Sequence, residues 1–418
     1  DSTRGVVSLM QVDTDGTQIT GTGDLRNGTP LTTAYAYASL PSAGLRGRLA
    51  RVTDRARGLW MDTGHQWFAL NGEWRNGKEF GAIGDGTSHP LSERYTTLAA
   101  AQIDYPHATA LTEEIDWAAI QSAIDSLPAA TGGTVFFPVS EYMITRQIHV
   151  NARHYVTLAG SGHSYFDSTI NGPTQITKTG AVAEPIIRGT QARRLNVRDL
   201  SLLHSGTAVA SQHGIQLTAG AGGSFNAGAV IERVSINNIY DGIRFEGDYT
   251  GSTIEDVYIA SPRNDGIVST GTQAGVRLSG IQIQSPARHG INMNVTTSSF
   301  DSIIIETTGG RAITGTYTRS TFRNLYLGDA VGQQAIYWSN SHNNVVTSAN
   351  MLATSAAGDD SIILLDSSYG NRFYGIETEG GDRYVVEVAN TSGTAVDRQF
   401  PNIFHVTYNS NGARLGFT

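Results

Sequence analysis

Two beats alternate along the middle of this chain. One is a short run of alternating apolar residues: Val234-Ser235-Ile236, Val257-Tyr258-Ile259, Ile281-Gln282-Ile283, Ile303-Ile304-Ile305 and Leu325-Tyr326-Leu327. The other is an ionisable or amide residue, then Gly or Ala, then Ile: His213-Gly214-Ile215, Asp241-Gly242-Ile243, Asp265-Gly266-Ile267, His289-Gly290-Ile291, Arg311-Ala312-Ile313 and Gln334-Ala335-Ile336. The phrase returns every 22 to 28 residues or so, as solenoids repeat. The strands carry β-branched and aromatic residues with Gly, Asn, Asp and Ser between them, which predicts β-coils, not helical repeats. The expected fold is all-β, a right-handed parallel β-helix of about ten coils.

The pattern changes toward both ends. In residues 1–75, Arg48 to Thr53, Gly58 to Asp62 and His65 to Leu70 read as short strands, and Asn71-Gly72 as a hairpin turn. This predicts a small N-terminal β module, in which Trp60, Trp67 and Trp74 serve as core or as a sugar-stacking platform. Phe80 to Gly86 leads into the solenoid. Between Ile115 and Leu127, apolar residues fall at helical spacing, Thr112 or Asp116 can cap the start, and Pro128 ends the run. A helix there would cover the open end of the solenoid and its unpaired strand edge. The expected division is 1–75 for the module, 76–390 for the β-helix and 391–418 for an end segment without the repeat. Segments around Gly162–Asp167 and Ala219–Gly228 are expected to project as groove walls.

Composition narrows the function classes. The 418 residues carry a net charge of −8, so no basic stripe for nucleic acid is expected. There are no cysteines, which excludes disulfides and thiolate metal sites. Lysine occurs only at Lys78 and Lys178. No apolar run approaches the ~18 residues needed to span a bilayer, so no membrane insertion is expected. The chain opens at Asp1 without a signal-like segment and is read as a mature or trimmed form.

Stacked coils lie about 4.8 Å apart, so His213, Asp241, Asp265, His289, Arg311 and Gln334 should form one column. Turn chemistry alone accounts for Asp before Gly but not for His and Arg in the same slot. The column is therefore the candidate site.

The stretch "FGAIGDG", the helix containing "AIQSAI" and then "GGTVFFPVSEYMI" resemble the opening of the pectate-lyase-like superfamily, especially bacteriophage tailspikes. The segment "SLPSAGLRGRLARVTDRARGLWMDTGHQWFALNG" is similar to phage tail-protein segments that precede such helices. The likeness covers roughly residues 40 to 390. A fainter one, to inulin fructotransferases, rests on "YVTLAGSGHSYFDSTI" and "VRDLSLLHSG". There His289 stands where an acid-Gly-apolar phrase belongs. The resemblance implies an extracellular or virion-associated, homotrimeric protein that acts on a polysaccharide; because the central coils contain no Lys and no dense Asp cluster, no calcium or other cofactor is expected.

Hydrolysis of a glycosidic bond uses two carboxyl groups, about 5 Å apart for retention and about 6.5 to 9.5 Å for inversion. Asp241 and Asp265, one coil apart, are the expected pair, and crowding should raise one pKa. Glu246 and Glu306 are the reserves. Arg263, Arg288 and Arg311 could clamp acidic sugars, with His213 and His289 orienting or donating. Elimination by Arg and His is the rival reaction, and a non-catalytic carbohydrate-binding spike the rival class.

Overall fold

In a computed structural model, the chain is described over residues 74–164, 172–220, 228–328, 333–353, 361–380, 384–389, 402–408 and 414–417, with short pieces of 34–69. The body is a β-solenoid of about 9 turns. Two long parallel sheets run its length. One contains Asn196–His204, Val230–Asn237, Thr253–Ala260, Arg277–Gln284, Ser299–Glu306, Thr321–Leu327, Val345–Ala353 and Arg372–Gly380 in spatial order. The other contains Ile215–Thr218, Ile243–Glu246, Ile267–Ala274, Ile291–Thr296, Ile313–Thr318 and Ile336–Ser339.

The isoleucines of the repeated phrase set this register. Ile215, Ile243, Ile267, Ile291, Ile313, Ile336 and Ile363 pair one above the next, and all seven are fully buried. A fully buried side chain of this size contributes about 1.5 to 3 kcal/mol, so the column alone fixes which residues face inward. The glycine before each isoleucine is there for closeness. A Cβ on Gly242 would lie 2.4 Å from the Gly266 carbonyl oxygen, and one on Gly266 would lie 2.6 Å from that of Gly290. Gly214, Gly242, Gly266 and Gly290 are not among the left-handed residues, so the phrase is a packing device and not a turn.

Bending falls to other residues. Strands of the first sheet turn mid-length at a single left-handed residue: Asp199, Arg233, Asp256, Gly280, Ser302, Asn324, Ser348 and Gly375 occupy this corner in successive coils. A second corner, at the end of the sheet, uses Asn238, Ser261, Ser285 and Thr307. Short polar side chains suit such positions because they tolerate left-handed backbone and bond locally.

Toward the C-terminal end the interior changes character. Phe300 and Phe322 stack at 4.4 Å between centroids, and Phe322, Trp338, Phe373 and Phe404 continue the row. Beside it runs a buried polar ladder. The Ser320 N–H donates to Asn344 Oδ1 at 2.9 Å, Asn344 Nδ2 to Asn371 Oδ1 at 2.9 Å, and Asn371 Nδ2 to Asn402 Oδ1 at 3.1 Å. These amides satisfy corner backbone groups that strand pairing leaves over.

The Ile115–Asp125 helix packs on the first strands of the body. Asp116 holds it there, accepting the N–H groups of Ile83, Gly84 and Met143. Ala34–Tyr35, Leu49–Val52, Gly58–Asp62 and Trp67–Ala69 form a separate four-stranded sheet. Trp74 instead belongs to the solenoid, where Trp74–Asn76 pairs with Gly133–Phe136. Trp60 is buried, and the Trp67 side chain and Asn71-Gly72 lie outside the described residues. So do most of the two expected groove-wall segments. Strand pairing continues past residue 390: Ile403–Tyr408 and Arg414–Phe417 extend the two sheets. The stretch 391–418, expected as an end segment without the repeat, thus supplies further strands.

Candidate functional site

The repeated polar slot forms the expected column. Gly214 donates to the Asp241 carbonyl, Gly242 to Asp265, Gly266 to His289 and Gly290 to Arg311, each at 2.9 to 3.1 Å. What each side chain then does depends on whether it faces the second sheet's outer surface or folds back between coils.

A groove of about 530 Å³ opens over the first of these coils, walled by residues such as Pro185, Arg188, Gln216 and Tyr240. His213 lies at its floor, with Nδ1 3.1 Å from Asp241 Oδ2, an ion-pair distance whose alignment falls short of a hydrogen bond. Asp241 is fully buried. Its Oδ1 accepts from Asn264 Nδ2 at 2.7 Å and from the Asp265 N–H at 3.1 Å, and its Oδ2 accepts from Arg244 Nη1 at 3.1 Å. The His213 and Tyr240 rings meet edge to face at 5.9 Å. Arg188, Gln216 and Arg244 stand in register on adjacent strands. Arg244 Nε donates to Glu246 Oε1 at 3.1 Å, and Thr218 Oγ1 to Glu246 Oε2 at 3.2 Å. Arg288 closes the groove from the next coil.

Burial alone would push the Asp241 carboxyl up, but His213, Asn264 and the Asp265 N–H together bring it below the ordinary aspartate value. Glu246 follows the same course: burial raises it, while Arg244, Gln216 and Thr218 bring it lower. Both carboxyls are held low because their hydrogen-bond donors and neighbouring cations outweigh burial.

Asp265, like Asp241, lies beneath residues that line the groove. It is fully buried and gripped by Arg288, whose Nε donates at 2.7 Å and whose Nη2 donates to the other oxygen. The His289 N–H at 3.2 Å and Asn292 Nδ2 at 3.1 Å complete its shell. His289 accepts the Arg311 N–H at its Nδ1, and burial lowers its pKa. Arg311 donates to Gln334 and lies 3.8 Å over the Tyr337 ring. Arg263 is exposed and makes no side-chain hydrogen bond or ion pair among the described residues. Glu306 lies on the first sheet, paired with Gln284, not on the groove strands. Its spacing along the chain does not reveal which sheet it joins.

Of the candidates, His213, Asp241, Glu246 and Arg288 thus come together. Arg188, Gln216, Arg244, Tyr240 and Asn264 join them without having been singled out. The signal for three of these was local: each of Arg188, Gln216 and Arg244 directly follows the first isoleucine of its strand. Among the described residues no cluster of three or more His, Asp or Glu side chains is placed to hold a metal ion. None of the described helices is long and apolar enough to cross a membrane.

Strands and column together define a parallel β-helix with a polar column along one face. No family model matches the chain. A stretch of 244 residues, 54% of the chain, is 28% identical to the mannuronan C5-epimerase AlgE3 of Azotobacter vinelandii, and it covers only 11% of that relative's length. Among solved structures, the A-module of the mannuronan C-5 epimerase AlgE6 of Azotobacter vinelandii superposes with a TM-score of 0.55 at 18% identity, over 82% of this chain and 98% of that one. The full-length tailspike protein 2 of a bacteriophage of Escherichia coli O157:H7 superposes with a TM-score of 0.52 at 12% identity, over 100% of this chain and 54% of that one. These likenesses establish the fold.

Proposed function

We propose that this chain is an enzyme acting on an acidic polysaccharide outside the cell, by removing the proton beside a uronic carboxylate. The observation that carries this reading is the cluster of guanidinium groups of Arg188, Arg244 and Arg288 around a groove floored by the buried His213–Asp241 pair. Cations at a sugar carboxylate stabilise the charge that develops when the neighbouring carbon loses its proton. Asp241 lies against the Nδ1 side of the His213 ring, which leaves the other ring nitrogen to serve as the base. Tyr240, against the same ring, is placed to donate a proton. The similarity to an enzyme named for mannuronan epimerisation supports the substrate class. Elimination and epimerisation share this first step and diverge in the fate of the carbanion.

Glycosidic hydrolysis by a carboxylate pair is the competing reading. It requires a protonated acid near neutral pH, and both groove carboxyls, Asp241 and Glu246, are held low. Incubation with a panel of uronate-containing polysaccharides in deuterated water separates the reactions. Elimination gives unsaturated ends that absorb in the ultraviolet, and epimerisation gives deuterium in uncleaved chains. New reducing ends with neither signal would mean hydrolysis and overturn the proposal. On the same reading, the helix at Ile115–Asp125 caps the solenoid and three chains assemble side by side.

A further inference from the structure

A second, smaller cavity of about 180 Å³ lies beside the Ile115–Asp125 helix, on the groove side of the body. Its wall includes Trp117, His107, Gln147 and His149. His149 is in register with Arg188, which lines the larger groove. Glu184 lines the small cavity, while its neighbours Ala183 and Pro185 line the large one. The two cavities are therefore successive parts of one trough along the sheet.

Their electrostatics differ. In the large groove Arg244 is paired with Asp241 and Glu246 and Arg288 with Asp265, but Arg188 makes no ion pair among the described residues and remains available to a carboxylate. The only cation of the small cavity is Arg146, and it is bound on both sides: Nε and Nη2 donate to Glu184 at 3.1 and 3.0 Å, and Nη1 to Glu113 at 3.2 Å. Burial lowers the pKa of both His107 and His149, which leaves them uncharged near neutral pH. The cavity thus offers no cation to a carboxylate. It does offer a hydrogen-bonding group: Gln147 Oε1 is buried without a partner among the described residues. An unmatched buried acceptor costs about 1 to 3 kcal/mol, and a hydroxyl group would satisfy it. Trp117 supplies an aromatic wall, with the His107 ring edge-on at 5.0 Å.

We infer that this cavity binds one uncharged sugar unit of the polymer whose acidic unit occupies the Arg-lined groove. The substrate is then a heteropolysaccharide carrying neutral and acidic residues close together, not a pure polyuronate. This rests on the proposed function for the acidic half, but the cavity itself is tested separately.

The test uses the full chain and saturation-transfer NMR with the methyl glycosides of glucose, galactose, mannose and N-acetylglucosamine, alongside methyl glucuronoside. At least one neutral glycoside should bind. Gln147→Met, which keeps the length but removes the acceptor, should weaken it by about tenfold, the scale of one lost hydrogen bond. Gln147→Glu, which keeps the acceptor, should retain it, and so should Arg244→Leu. Where Gln147→Met does not fold, His107→Leu changes the same wall and should weaken the same ligand. The inference fails if no neutral glycoside binds, or if binding persists in a Gln147→Met chain that melts like the wild type. It also fails if the glucuronoside is the ligand that Gln147→Met loses. Glucuronoside binding untouched by Arg244→Leu would instead count against the Arg-lined acidic site and leave the neutral one standing.

Discussion

His213 Nδ1 stands 3.1 Å from Asp241 Oδ2, one coil away, and both side chains are buried at the floor of the groove. Asp265 occupies the same slot one coil further on with a matching set of donors, Arg288, Asn292 and the His289 N–H, but among the described residues no histidine ring lies at ion-pair distance from it as His213 does from Asp241. Neighbouring members of a single column therefore have different work.

The first prediction separates them. Asp241→Asn should lower turnover by about 10² to 10⁴, the usual scale for a lost acid–base step, with little change in KM. Asp265→Asn should instead cost about 1 to 3 kcal/mol of stability and leave the turnover of folded protein near normal. Asp241 titrates lower when folded than unfolded. Its contribution to stability is thus present above the unfolded value near 3.9 and is lost as pH falls through the folded value. Melting curves between pH 2 and pH 7 should show that acid limb shrink in Asp241→Asn.

Lys178 gives the opposite dependence. Its side chain is fully buried, donates to the Thr145 carbonyl at 3.2 Å, and has its pKa pushed down by burial to about 8, with Glu184 opposing and Arg146 adding to the shift. Between about 8 and the ordinary 10.5 the unfolded chain binds more protons, so stability rises with pH there. Below 8 the full cost of the buried charge remains, about 3 kcal/mol. Lys178→Met should therefore stabilise the protein at pH 7 by roughly 1 to 3 kcal/mol and flatten the alkaline rise in denaturant midpoint.

Asn344 tests the polar ladder. It is fully buried, donates to the Tyr317 carbonyl at 2.7 Å and to Asn371, and accepts the Ser320 N–H. Asn344→Leu adds apolar bulk but leaves those backbone groups unmet, at about 1 to 3 kcal/mol for each buried orphan. Urea unfolding should show a loss of several kcal/mol, larger than for an alanine substitution at exposed Arg323.

Assembly can be read from Ile304 and Tyr326, which are each 37% exposed and pair directly across adjacent strands. Side-by-side trimerisation would cover them. Light scattering should give about three times the chain mass of 44.6 kDa, and Ile304→Glu with Tyr326→Glu should release smaller species. A wild-type mass of one chain at micromolar concentration would rule the trimer out.

The stack was legible in the sequence because period-two strands and the Gly-Ile phrase both recur at coil length. The column order from His213 to Arg311 follows from that period alone. The corners were less legible: Asp199, Arg233 and Ser302 share one backbone state without sharing a chemistry, so no single residue type marks the bend. Side-chain roles were least legible. Asp241 and Asp265 look alike in the chain and carry matching donors in the structure, and only the His213 ring beside Asp241 sets the two apart. Glu306 illustrates the same limit, since an acid after an apolar run fits either sheet.

The one-residue corners have a further consequence for how such a protein can change. Each corner is fixed to a single position by the coils above and below, so an insertion there would shift every inward side chain of its strand. The segments outside the corners, such as the one carrying Ala210 and Ser211 at the groove wall, lie outside the paired strands. Length changes can accumulate there while the isoleucine column stays in place. The wall can thus be rewritten for a new polymer without renegotiating the stack, so specificity and stability are inherited on separate parts of the same coil.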